Sequence, residues 1–170
     1  QFSKIEKPIC AIFLGGQNRN YRFDVSVVKE LADQVDKILK NNDIQLFILF
    51  SRRTDQFIIE YLNERFLGQN IIWNGEGNPY LALMKYSNYL ICTADSVSII
   101  SESISSTKPV YIFKLPSLKK NNRIEKFIAT LLQKNYARLL GEKLEDFTNS
   151  YENETFQVAR VIEERYNNKA

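Results

Sequence analysis

Histidine is absent from this chain, and with it goes a large block of chemistry. Without an imidazole there is no Ser-His-Asp or Cys-His nucleophile system and no usual zinc site. Acid–base work would fall to carboxylates, lysine, tyrosine or a partner. Sulfur is scarce too: the two cysteines, Cys10 and Cys92, both fall inside apolar runs, where a buried thiol fits better than a disulfide or a nucleophile. Reduced thiols point to a cytoplasmic protein. No apolar run approaches the ~20 residues that cross a bilayer, and the first residues lack the apolar core of a secretory signal. A chain opening on Gln1 rather than Met reads as processed or as part of a longer polypeptide. Charge of one sign is lacking as well, since 23 basic and 20 acidic residues leave a net charge of +3, too even to argue for nucleic acid. No Asp-x-Asp pair is there to hold a metal.

What is present is a 170-residue chain, 44% hydrophobic, long enough for one domain over 1–170 with a sizeable core. Apolar β-rich runs alternate with helical spacing. Strands are expected at Ile9–Leu14, Gln45–Phe50, Asn70–Trp73, Tyr89–Cys92 and Val110–Phe113, with a short edge strand over Tyr136–Leu140. Between them lie a helix opened by Asp24 and stopped by Asn41-Asn42-Asp43, one carrying Phe57 to Phe66 and ended by Gly68, and a short one over Leu81–Tyr86 behind Pro79. A further helix is expected from Ile124 to Gln133, and an amphipathic C-terminal one from Thr155 to Tyr166. The alternation predicts an α/β fold: a doubly wound, Rossmann-like parallel sheet with helices on both faces and right-handed crossovers.

Open α/β sheets bind ligands beyond the carboxyl ends of their strands. Four polar clusters fall there: Gly15-Gly16-Gln17-Asn18, Ser51-Arg52-Arg53-Thr54, Asn74 to Tyr80, and Thr93 to Ser98. Parallel strands need polar loops in any case, so a merely solvated rim is the plain reading. A glycine pair, an arginine pair and a hydroxyl-rich helix start are, however, the kit for holding phosphates through amides and guanidinium forks. Asp95 or Ser96 is the expected N-cap of the helix that follows, and Glu102 lies two turns into it, as a site residue or as a solvent-facing charge. The Gly-Gly turn matches neither GxGxxG nor the Walker A pattern. Lys114, Lys119, Lys120, Arg123 and Lys126 form a basic cluster, either a solvated loop or a contact for an anionic membrane surface or a phosphate-bearing acceptor. Aromatic residues such as Phe13 and Phe50 read as packing.

Gly15-Gly16 with Asn18, Ser51-Arg52-Arg53-Thr54, Trp73-Asn74-Gly75 with Asn78-Pro79-Tyr80, Asp95-Ser96-Val97-Ser98 with Glu102, and Lys108-Pro109-Val110 occur in an order that resembles the Elm-type mitochondrial fission family. Bacterial members of that family look like GT-B glycosyltransferases. The resemblance runs from Pro8 to Leu140, departs at Ile99 and Thr107, and covers the C-terminal, nucleotide-sugar-binding half of such an enzyme. It implies a nucleoside diphosphate-sugar donor, no cofactor and no bound metal. It also implies an N-terminal acceptor domain outside this chain that would carry the unknown catalytic base. Gly15, Gly16, Ser96 and Ser98 would contact the diphosphate, Arg52 or Arg53 would neutralise it, and Glu102 would take the ribose hydroxyls. Asn18, Ser51, Thr54, Asn78, Tyr80 and Asp95 complete the expected binding set. The alternative is a non-catalytic interaction module recruiting a protein or membrane partner; a nucleotide-sugar isomerase is disfavoured by the missing GxGxxG.

Overall fold

Six parallel strands and five helices alternate in the computed structural model, which describes residues 5–68, 70–72, 78–120 and 122–151. In chain order they are β1 (Ile9–Leu14), α1 (Val25–Asn41), β2 (Gln45–Phe50), α2 (Gln56–Arg65), β3 (Asn70–Ile72), α3 (Tyr80–Tyr86), β4 (Tyr89–Thr93), α4 (Val97–Ser105), β5 (Val110–Phe113), α5 (Arg123–Gln133) and β6 (Arg138–Leu139). The sheet runs β3-β2-β1-β4-β5-β6, so the order reverses between β1 and β4. This is the doubly wound, Rossmann-like arrangement with helices on both faces. Every residue of β1 is buried, as a continuous apolar run requires when both faces of a central strand are covered.

Asp24 opens α1 by accepting the amides of Ser26 and Val27, and Val28, Leu31, Val35 and Ile38 turn its apolar stripe into the core. Asn122 caps α5 through the Ile124 amide. Gly68, at φ +77, lets the chain turn back after α2. The edge strand is shorter than expected: only Arg138 and Leu139 pair with β5, and the chain leaves the sheet edge after the Leu140 amide has donated to the Ile112 carbonyl at 2.9 Å. The expected Thr155–Tyr166 helix lies outside the described residues. Lys108, half-buried, donates to the carbonyls of Met84 and Lys85 at the end of α3, a cation placed on a helix C-terminus.

Residues 141–151 cross the amino ends of the strands like a strap. Asn42 exchanges hydrogen bonds with the Leu144 backbone at 2.9 and 3.1 Å, and the Tyr111 hydroxyl bonds both the carbonyl and the amide of Glu145 at 2.8 Å. The Tyr89 hydroxyl donates to Asp146, and the Asn149 amide to the Ile104 carbonyl. No helix among the described residues is long and apolar enough to cross a membrane.

Candidate functional site at the carboxyl edge

Register brings the loops together. Leu14 pairs with Phe50 and Phe13 with Cys92, so β1, β2 and β4 end at one level and the segments from Gly15, Ser51 and Ala94 leave side by side. They are joined by one carboxylate. Asp95, whose side chain is fully enclosed, accepts the Gly16 amide at 3.0 Å, the Thr93 hydroxyl at 2.7 Å and the Arg53 guanidinium at 3.1 Å. The Gly15 amide donates to the Thr93 hydroxyl oxygen at 2.9 Å. From the β2 side, the buried Thr54 hydroxyl donates to the Gly15 carbonyl at 2.6 Å and accepts the Ser51 amide at 2.9 Å. Charge-assisted bonds of this kind, out of water, fix a loop firmly.

The glycines are needed for closeness. A Cβ on Gly15 would stand 1.9 Å from Asp95 Oδ2, and one on Gly16 would stand 1.8 Å from the Arg53 carbonyl oxygen. The resemblance implies diphosphate contact at Gly15 and Gly16; in the structure both amides donate inside the protein, to Thr93 and Asp95. Asp95 does not cap α4 either. Ser96 holds the N-cap position without a capping bond from its hydroxyl, so among the described residues the first-turn amides of α4 have no side-chain cap. The Ser96 and Ser98 hydroxyls lie at this helix start, Ser98 exposed. Asn18 folds its own loop, accepting the amides of Asn20 and Tyr21.

Beside this clasp a cavity of about 390 Å³ opens between Phe13, Leu14, Leu49, Phe50, Ser51, Arg52, Asn78, Pro79, Tyr80 and Ile99. The Tyr80 ring meets Phe13 edge-on at 5.1 Å. Its hydroxyl donates to Glu102 at 2.6 Å, and burial, then that bond, push the phenol well above its ordinary pKa. Asn78 accepts the Tyr80 amide at 3.0 Å. Exposed Arg52 reaches the cavity with no ion pair among the described residues. Of the expected site residues, Ser51, Arg52, Asn78 and Tyr80 line this space, Glu102 adjoins it through Tyr80, and Gly15, Gly16, Thr54 and Asp95 form the clasp at its side. The apolar wall of Leu49, Phe50 and Ile99 had no sequence signal, because an apolar residue at a strand end looks the same whether it meets core or cavity. Trp73 and 74–77 lie outside the described residues. No group of three or more metal-binding side chains occurs among the described residues.

The family model for "Mitochondrial fission ELM1" matches residues 1–166. An uncharacterized protein of Rickettsia prowazekii is 32% identical over 165 residues, covering 92% of this chain and 46% of that protein. "Mitochondrial fission protein ELM1" of Arabidopsis thaliana is 33% identical over 116 residues, covering 66% and 27% respectively. The chain thus spans about half, or less, of the length of these relatives. Among solved structures, Os79 from O. sativa in complex with UDP superposes with a TM-score of 0.53 at 12% identity, over 83% of this chain and 31% of that one, a likeness of fold. With the family model matching nearly end to end, the chain belongs to the mitochondrial fission ELM1 family.

Proposed function

We propose that this chain holds the donor in a glycosyl transfer, binding a nucleoside diphosphate-sugar at the carboxyl edge of the sheet. The observation that carries the reading is the pairing of two features: a partly apolar cavity containing an arginine with no carboxylate partner among the described residues, and beside it the first turn of α4, which the Ser96 hydroxyl leaves uncapped. A slot with an apolar wall and a few polar groups suits a nucleoside, and free amides at a helix start suit its phosphates. The likeness of fold to Os79 in complex with UDP supports the same reading.

In this pose the base enters between Phe50, Ile99 and Tyr80. One oxygen of Glu102 holds Tyr80 and the other is offered to the ribose hydroxyls; Ile99 and Glu102, three residues apart, share a face of α4. The diphosphate lies on the first-turn amides of α4 with the Ser96 and Ser98 hydroxyls, and Arg52 neutralises the charge that grows as the sugar–phosphate bond breaks. Gly15, Gly16, Thr54 and Asp95 bind no ligand in this account; they hold the edge in shape. The acceptor and the catalytic base belong to a further domain, consistent with the share of its relatives that this chain covers. Calorimetry of the 170-residue chain with UDP and with pyrophosphate tests the reading. Weak binding of both, lowered by Arg52→Ala, is expected, and no binding at millimolar UDP would remove the donor site. The family's description favours a second reading, an interaction module, and Leu81 on α3, 76% exposed beside the cavity, would belong to its contact surface.

A further inference from the structure

Arginine pairing divides the molecule in a telling way. Among the described residues, Arg22 pairs with Asp24, Arg53 with Asp95, Arg65 with Asp33 and Asp36, and Arg138 with Glu145. Arg19, Arg52 and Arg123 have no ion pair among the described residues. Arg52 lines the cavity discussed above. Arg19 and Arg123 line another, of about 300 Å³, together with Asn20, Lys119, Asn122 and Ile124. Among the described residues no acidic side chain is in that lining, and none of it is shared with the Phe13–Tyr80 cavity.

The three cations are held together by backbone, not by side-chain reach. The Leu118 amide donates to the Asn20 carbonyl at 2.8 Å and the Arg22 amide to the Pro116 carbonyl at 3.0 Å, with Tyr21 bridging Ser117 antiparallel between them. Asn18 pins the first loop, and Asn122 pins the second by reaching the Ser117 hydroxyl while capping α5. Arg123 is the first residue of α5, where the helix's own partial positive charge repels a cation. Glu125, the acidic residue of that turn, lines the separate cavity with Tyr21 and Lys114 instead. Like charges gathered at a positive helix end raise the energy of the free chain, and an anion relieves it.

We propose that this cavity is a second anion site, separate from the donor site, taking the phosphate group of a phosphorylated ligand. Two guanidinium forks present paired donors that match phosphate oxygens, and Lys119 adds a point charge. Leu118, 57% exposed next to Lys119, gives a lipid-borne phosphate an apolar neighbour. The phosphate is therefore carried either by a lipid headgroup or by a soluble ester.

A triple variant, Arg19→Gln with Lys119→Gln and Arg123→Gln, tests this; none of the three side chains makes a hydrogen bond or ion pair among the described residues, so an unchanged melting profile is expected. One arm follows amide shifts of residues 18–22 and 117–124 during titration with inorganic phosphate and glycerol 3-phosphate. The other measures flotation with phosphatidylcholine vesicles with and without phosphatidylglycerol. Saturable shifts lost in the variant support the site with a soluble ester as source. Binding only to phosphatidylglycerol vesicles, weakened roughly a hundredfold in the variant because each basic residue near such a surface contributes a factor of about five, supports a lipid source. Absence of binding in both arms, or binding that the variant retains, overturns the proposal. So does a fall in UDP affinity in the variant, which would merge this cavity with the donor site, whereas loss of UDP binding in the parent alone would refute only the donor reading.

Discussion

Gly16→Ala is the sharpest probe of the clasp. The added methyl would sit 1.8 Å from the Arg53 carbonyl oxygen, so the two loops must separate by more than an ångström. They cannot do so quietly, since the Gly16 amide is committed to Asp95 and the Gly15 carbonyl to Thr54. Overpacking costs about 1–3 kcal/mol, and orphaning one of these buried groups adds about 1–3 kcal/mol. The two together come to roughly 2–6 kcal/mol, which for a chain of this size lowers the melting midpoint by roughly 4–24 °C. Gly141→Ala is the control: nothing lies within 4 Å of its added Cβ, and the substitution should leave stability unchanged or raise it by about 0.4–1 kcal/mol through a less flexible unfolded chain. Urea and thermal unfolding followed by circular dichroism measure both. If Gly16→Ala unfolds within about 0.5 kcal/mol of the parent, the size of a neutral surface change, the close approach does not stabilise the fold and the argument fails.

Other expectations are open to single measurements. Asp95→Asn keeps the shape but turns an amide donor toward groups that are themselves donors, so a loss of about 1.5–3 kcal/mol in urea unfolding is expected, and none would discount the buried carboxylate. Glu102→Gln should weaken UDP by about 1.5–3 kcal/mol while leaving pyrophosphate binding intact, and equal UDP affinity would remove Glu102 from the site. Burial pushes the Cys92 thiol up to about 12 and that of Cys10 higher still, so neither should react with a disulfide reagent at neutral pH until the protein unfolds; rapid native labelling would contradict their enclosure. Tyr21 and Tyr89 are pushed, mainly by burial, from 10.0 up to about 12. The unfolded chain releases these protons first, so stability should be full below pH about 10 and fall as pH rises toward about 12. An unchanged unfolding free energy across that window would refute the assignment.

The parallel sheet was legible because its strands are apolar runs of β-forming residues between helical stripes, a local property. The start of α1 was legible for the same reason, Asp24 sitting directly before the stripe. β6 was overextended to Tyr136–Leu140 because pairing at an edge depends on where the chain departs, which composition does not encode. At the carboxyl edge, the sequence shows which polar residues end the strands but not which of them touch. Gly15-Gly16, Thr54 and Asp95 look like a phosphate kit when read one loop at a time, and only the register of β1 against β2 and β4 reveals that they satisfy one another. Lys108, part of the family resemblance, likewise turns out to hold the end of α3.

The position of β1 bears on how the chain is made. Its first neighbour, β2, follows about one helix later, but its second, β4, begins only at Tyr89. A chain growing from its amino end must therefore hold Ile9–Leu14 as an open apolar edge until Tyr89–Thr93 has been synthesised, and such an edge pairs readily with other copies. The Gly15 and Gly16 amides wait just as long for Thr93 and Asp95. Fragments ending before Asp95 should accordingly be prone to association, and slower elongation through 51–95 should lower the soluble yield, whereas stretches beyond β4 should tolerate pausing far better.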